Sequence, residues 1–263
     1  MNNRAHAIKD RWNALADDWN RFRTKPVVDN IIADPMSYFR TELQALFQRF
    51  VGDFAGREVL VIGSGSGRAA FAFHLLGARV TALDLSEKQI EHTASVARAY
   101  DWDISFINDD AVTLRRIDLD RYDFVYMPNG VLFWIDDLSA LYASVRRVLK
   151  PGGLYLTYDM HPFMPPFDFG NTSKAVLIRD YDNVGPLGNM ATYHWRMQDI
   201  VNAMVASGLR LVHMEEMKAA SGTFWVDEDK AGEIPPAELA QLYKRETNPL
   251  YALPQCLSLV ARK

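Results

Sequence analysis

The sequence predicts an α/β fold, a doubly wound and mostly parallel sheet of seven strands with helices on both faces. Three observations predict it. From Glu58 onward, short apolar runs alternate with helical patterns, as parallel strands covered on both sides require. The first run, Val59 to Ile62, opens into Gly63-Ser64-Gly65-Ser66-Gly67, a glycine loop leading into a helix. About twenty residues further on, the second run ends at Asp84, the spacing at which an acidic side chain meets a ribose.

The bulk properties fit one such domain. A chain of 263 residues buries a substantial core and suits one α/β domain with additions. With 49% hydrophobic and 24% charged residues, it is neither disordered nor fibrous. A net charge of −4, with no basic run longer than Arg115-Arg116 or Arg146-Arg147, argues against a nucleic-acid partner. Cys256 is the only cysteine, which excludes an internal disulfide and a multi-cysteine zinc site; it reads as a buried thiol near the last strand. The opening residues are charged throughout, and no segment approaches the roughly 20 apolar residues of a membrane span. A cytoplasmic protein is expected, without a membrane partner.

In chain order, Trp12, Leu15, Ala16, Trp19 and Phe22 recur at helical spacing and predict an amphipathic helix. A second helix is expected over Asp34 to Phe50, with Asp34 as cap, Pro35 in the first turn and Phe39, Leu43, Leu46, Phe47 and Phe50 as the apolar stripe. Both could cover the mouth of the glycine loop. The strands follow at Val59–Ile62, Arg79–Leu83, Ile104–Ile107, Tyr122–Met127 and Leu154–Tyr158, with helices at Gly67–Leu76, Ser86–Tyr100 and Asp137–Leu149. Lys150-Pro151-Gly152-Gly153 stops the last of these helices sharply. Residues 160 to 195, rich in proline, glycine and aromatics, break the rhythm and read as a lid. A helix at Met197–Ser207 and a strand at Leu209–Met214 resume it, residues 218 to 248 form a charged insertion, and Cys256–Val260 closes the sheet.

A glycine loop of this kind serves a ligand that approaches the backbone closely, at a helix N-terminus that offers free N–H groups. Dinucleotide sites use G-x-G-x-x-G; here Gly63, Gly65 and Gly67 give G-x-G-x-G, and Arg68 stands where the third glycine would. The third strand runs into Asn108-Asp109-Asp110-Ala111, where a carboxylate could meet an adenine amino group. With these motifs in order, the chain resembles the class I S-adenosylmethionine-dependent methyltransferases, in their small-molecule branch, from about Trp12 to Met214. VLVIGSGSGR is similar to the first motif of that family, ALDLS to its ribose motif, NDDAVTL to its adenine motif, and YDFVYMPNGVLFWIDDL with VRRVLKPGGLYLTYDMHPF to its fourth and fifth strand region.

The resemblance implies a Rossmann-like methyltransferase fold with S-adenosylmethionine as cofactor and S-adenosylhomocysteine as product. It assigns Gly63, Ser64, Gly65 and Gly67 to the methionine end and ribose, Asp84 and Leu85 to ribose and adenine, Asp110 with Ala111 to adenine, and Asn129 to the neighbourhood of the methyl donor. Asp109 is the alternative to Asp110. Trp19 is the aromatic that would cover the donor, and Phe133 and Trp134 fall beside or under the site. One departure is that Val61 and Ile62 precede the loop where the family often has an acidic residue, leaving the cofactor ammonium to other groups such as backbone carbonyls around Gly63. A second is that Met127-Pro128-Asn129-Gly130 lacks the motif of the nucleic-acid amino-methylating members, which favours a small acceptor.

Methyl transfer from a sulfonium is an in-line displacement, so alignment and exclusion of water carry most of the catalysis. A base is needed only if the acceptor must lose a proton. His161 after the fifth strand, with Tyr193 and His194 at the end of the lid, are the catalytic candidates, and Phe163, Phe167 and Phe169 are the expected substrate wall. The expected reaction is metal-free transfer to an N or O atom of a small, aromatic or amine-bearing acceptor, by a monomer or homodimer. The division is 1–55 as helical cover, 56–159 as cofactor-binding core, 160–196 as lid and 197–263 as C-terminal helix and strands. The alternatives are an NAD(P)-dependent oxidoreductase and a noncatalytic S-adenosylmethionine-binding protein.

Overall fold

Strand alternation explains how one sheet holds two hydrophobic layers. In the computed structural model, which describes residues 3–170, 172–189, 191–219, 224–226 and 232–263, the chain begins with three helices, α1 (Asn3–Leu15), α2 (Lys25–Ala33) and α3 (Thr41–Phe50). Then come β1 (Glu58–Ile62), α4 (Arg68–Leu75), β2 (Arg79–Asp84), α5 (Glu87–Ala99), β3 (Ile104–Asn108), β4 (Tyr122–Met127), α6 (Leu138–Val148), β5 (Leu149–Met160), α7 (Met197–Ala206), β6 (Arg210–Met217) and β7 (Cys256–Arg262). The sheet order is β3-β2-β1-β4-β5-β7-β6. β1 to β5 run parallel to one another, whereas β7 runs antiparallel to both β5 and β6.

Along β1, Val59 and Val61 enter one layer while Leu60 and Ile62 enter the other, as the period-2 direction of strand side chains dictates. The first layer joins α2, α3 and α4 through Phe39, Leu43, Phe47, Phe54, Phe71, Phe73, Phe124 and Tyr126. The second joins α6 and α7 through Leu141, Tyr142, Val145, Ile200 and Met204. The chain winds outward from β1 through β2 to β3, then returns to β4 on the other side. The carboxyl ends of β1 and β4 therefore flank a switch in strand order, where open α/β sheets bind ligands.

The ends of the helices follow local chemistry. Ser86 caps α5 by accepting from the Gln89 N–H at 3.1 Å, and Asp137 caps α6 by accepting from the Ala140 N–H at 2.9 Å. Several boundaries depart from the sequence reading. The first helix stops at Leu15, and Trp19 and Phe22 belong to a separate 3-10 turn, Asp18–Arg23. Asp34 caps only the 3-10 turn Pro35–Tyr38, because Phe39 and Arg40 are extended and turn Phe39 into the core. The helix over Asp34–Phe50 is thus two pieces.

α2 was not expected; it needs only Pro26 in its first turn and Val28 with Ile31 facing inward. β5 begins at Leu149, ahead of the proline and glycines. Tyr122 pairs with Leu149 and Phe124 with Leu154, so residues 150 to 153 are extruded as a bulge. Part of the charged insertion read over 218–248 lies outside the described residues, and the rest includes only short turns at Pro236–Leu239 and Ala240–Tyr243. Among the described residues, no helix is long and apolar enough to cross a membrane.

Phe73 is fully buried, and its ring packs against those of Phe39, Phe54, Tyr126, Phe47 and Phe124 at centroid distances from 4.8 to 5.8 Å. Phe73→Ala is expected to lower the unfolding free energy by about 3–5 kcal/mol. Urea titration should show an earlier midpoint with an unchanged slope.

Candidate active site

The glycine loop is shaped by bonds to the backbone of a single residue. The Gly65 N–H donates to Asp84 Oδ2 at 2.8 Å, while the Gly65 carbonyl accepts from Arg23 Nη2 at 3.0 Å and Thr93 Oγ1 at 3.1 Å. Asp84 Oδ1 accepts from the Ser86 N–H at 2.9 Å, so one carboxylate joins the end of β2 to the loop after β1. Burial pushes the Asp84 carboxyl above its ordinary value, and the Ser86 and Gly65 N–H donors oppose the shift. Each oxygen keeps acceptor capacity for a hydroxyl. Gly67, in the left-handed region, caps α4, and a Cβ there would overlap Thr93 Cγ2.

Arg23 is buried. Besides the Gly65 carbonyl it bonds Asn20 Oδ1, the Ala16 carbonyl and Gln89, and burial holds its guanidinium down at about 10.

Around the loop lies a cavity of about 1360 Å3, above the roughly 300–1,000 Å3 of a single-ligand pocket. Gly63, Ser64, Gly65, Asp84, Leu85, Asp110, Ala111, Asn129 and Trp19 all line it, as do Phe133 and Trp134. Of the acidic pair, Asp109 is engaged in its own loop, accepting from the Asp110 and Arg116 N–H groups at 2.8 and 2.7 Å. Asp110 lines the cavity. Gly67 is not among the lining residues.

The other half of the cavity is lined by Tyr38, Arg40, Tyr126, Tyr158, Met160 and Cys256. Sequence reasoning missed these apart from the burial of Cys256. The mouth is covered from the N-terminal side: Trp12 meets Trp19 at 5.2 Å and Trp134 at 5.4 Å, both edge to face.

The three catalytic candidates stand elsewhere. His161 is fully buried; its Nδ1 accepts from the Phe163 N–H at 3.1 Å, which leaves the proton on Nε2 facing Glu216 Oε1 at 2.9 Å. Both ring nitrogens are thereby committed. His194 packs edge to face on Phe133 at 4.9 Å and contacts Arg179. Burial first, then the Arg179 charge, holds it down at about 4, a weak base at neutral pH. Tyr193 stacks on Trp195 at 5.1 Å.

Of the described residues in 160–196, only Met160 lines the cavity. Phe167 and Phe169 instead join a satellite cluster with Met164, Phe224 and Trp225, and Phe163 packs on His161 and Tyr181. The expected lid and substrate wall thus pack beside the cavity, and α1 with the Asp18–Arg23 turn closes it.

Asp159 also bears on the site. It is buried at the end of β5, accepting from the Gly130 N–H at 2.9 Å, the Met160 N–H at 2.8 Å and the Leu132 N–H at 3.2 Å. It therefore fixes the loop that carries Asn129.

Residues 59–153 match the family model described as "Methyltransferase domain". Over 110 residues the chain is 34% identical to a malonyl-acyl-carrier-protein O-methyltransferase from Xylella fastidiosa, covering 41% of this chain and 36% of that one. It is 26% identical over 172 residues to a sterol 24-C-methyltransferase from Gibberella zeae, covering 64% and 43%. The chain thus spans less than half the length of either relative. Among solved structures, an S-adenosylmethionine-dependent methyltransferase from Mesorhizobium loti superposes with a TM-score of 0.59 at 22% identity, covering 84% of this chain and 97% of that one. Geranyl diphosphate C-methyltransferase from Streptomyces coelicolor, in complex with Mg2+, geranyl diphosphate and S-adenosyl-L-homocysteine, superposes with 0.66 at 15% identity, covering 100% and 98%.

Burial raises the Asp159 carboxyl from 3.8 to about 6. Between these values the folded protein binds more protons than the unfolded chain, so this group's contribution to stability is greatest below pH 4 and is lost as pH rises through 6. The difference between pH 5 and pH 7 is about 1 kcal/mol. Asp84 and Asp110 shift in the same direction and are kept in the variant, so Asp159→Asn should reduce the gain in stability on going from pH 7 to pH 5 by about that amount, as measured by denaturant titrations of both proteins at both pH values.

Proposed function

We propose, starting from the class I S-adenosylmethionine-dependent methyltransferase domain that this chain carries in the Rossmann-like fold of that family, that the cavity binds S-adenosylmethionine and delivers its methyl group to an N or O atom of a small-molecule acceptor. The observation that carries the reading is the convergence of three strand ends on one cavity: the glycine loop after β1, Asp84 at the end of β2 and Asp110-Ala111 after β3. Asp84 accepts from the ribose hydroxyls, Asp110 from the adenine amino group, and Gly63, Ser64 and Gly65 let the methionine end lie against the backbone. Gly67 serves from beneath, by starting α4. Asn129, on the loop that Asp159 braces, flanks the sulfonium.

The acceptor occupies the aromatic half. Transfer would form the bond from the acceptor's nucleophilic atom to the methyl carbon as the carbon–sulfur bond breaks with its electron pair going to sulfur, leaving S-adenosylhomocysteine, and a proton on the acceptor atom would pass to solvent with the released product. Tyr38, Tyr126 and Tyr158 keep their phenolic protons at neutral pH, because burial raises all three, Tyr126 well above its ordinary value. They orient the acceptor as hydroxyls and do not act as bases. His161, Tyr193 and His194 support the walls of the site in this reading, and catalysis rests on alignment and on exclusion of water by Trp12, Trp19 and Trp134.

Calorimetry of the purified protein with S-adenosylmethionine, S-adenosylhomocysteine and NAD tests the assignment. Micromolar binding of the first two and none of NAD is expected. Asp84→Asn should weaken S-adenosylhomocysteine binding roughly 10- to 100-fold, the loss that charge-assisted hydrogen bonds bring. Binding of NAD alone would overturn the reading.

A further inference from the structure

Three carboxylates, Asp84, Asp110 and Asp136, line the cavity, and of its four lining arginines Arg115 follows β3 with Asp110, whereas Arg21, Arg40 and Arg68 line the side toward the N-terminal cap and the aromatic half. Two arginines at or near this side are committed. Arg40 holds Glu42 through paired bonds of 2.9 and 2.8 Å, and Arg23 is buried against the Gly65 carbonyl and Gln89.

Arg68 differs. It is the first residue of α4, and its guanidinium carbon lies 4.8 Å from the centroid of the Phe22 ring and 5.4 Å from that of Tyr38. Its Nε donates to the neutral Ser66 Oγ at 3.2 Å. Among the described residues, no carboxylate is bonded to its two terminal nitrogens, and Arg68 lines the cavity. The two rings hold the guanidinium in place without neutralising it.

We infer that Arg68 is a carboxylate-binding residue of this cavity, presenting Nη1 and Nη2 as a fork to an anionic group at the junction of the cofactor half and the aromatic half. A planar guanidinium held by rings is preorganised for bidentate carboxylate recognition. A bound carboxylate also relieves repulsion between neighbouring cations, since the charge of Arg68 is one of the causes that lower the Arg23 guanidinium. The carboxylate has two sources: the amino-acid end of the cofactor, which rests on the function proposed above, and an acidic acceptor. The chemistry at Arg68 is the same for both.

Two matched pairs of probes distinguish them. The first is S-adenosylhomocysteine against S-adenosyl-3-thiopropylamine, the same molecule without its carboxylate. The second is 2-naphthoate against 2-naphthamide, measured with and without saturating S-adenosylhomocysteine. The protein should favour the carboxylate member of at least one pair by 10-fold or more, and Arg68→Gln should reduce that preference to under 2-fold without weakening the carboxylate-free partner. Collapse in the first pair assigns the site to the cofactor, and collapse in the second to the acceptor. Arg68→Lys keeps the charge but not the fork, and should retain only part of the preference; it also serves if the glutamine variant fails to fold.

A preference that survives Arg68→Gln in both pairs, or no preference in either pair for the unaltered protein, would overturn the inference. If S-adenosylhomocysteine does not bind at all, the proposed function fails, and the naphthalene pair measured alone still decides the role of Arg68.

Discussion

One residue, Gly65, is held from both sides: its N–H by a buried carboxylate at the end of β2, its carbonyl by a buried guanidinium from the N-terminal cap and a threonine hydroxyl from α5. A Cβ on Gly65 would lie 3.0 Å from the ring of Trp19, so the indole rests directly on the loop. The end of β2, the start of α4 and the cover of the cavity thus meet at a residue without a side chain, because each needs close approach to the backbone. Opposite charges buried together on the backbone of one residue in a low-dielectric site interact more strongly than they would at the surface. The arrangement is held by those bonds rather than by local helix or turn propensity.

The same economy governs the opposite wall. Asp159 spends both oxygens on backbone N–H groups of the loop after β4, which makes the position of Asn129 a property of β5. The tyrosine hydroxyls of the aromatic half are shielded enough to stay protonated. The site therefore offers shape and neutral hydrogen-bonding groups, which suits a reaction whose donor arrives already activated by its own positive charge.

Much of this was legible in the sequence wherever the determinant was local. The glycine spacing, Asp84 at its distance from the loop, and Asp110-Ala111 after the third strand are each set by a strand end, and all line one cavity apart from Gly67. His161 shows where local reading stops. It follows the fifth strand directly, but side chains alternate: Tyr158 and Met160 line the cavity while Asp159 and His161 turn to other partners. Counting parity from Tyr158 would have separated the two sets. No comparable signal exists for Arg23 or the displaced aromatic Phe169, whose partners lie far away in the chain. Strand order at the far edge, with β7 inserted between β5 and β6, is likewise set by long-range pairing.

The cap that covers the mouth is synthesised before everything it rests on. Its anchors reach from Asn13 to Ser86 and Glu87, and from Arg23 to Gly65 and Gln89, across 42 to 74 positions of sequence. These are non-local closures, which can form only once the intervening chain is present. During translation the cap must wait, with its tryptophans exposed, until β2 and α5 have left the ribosome.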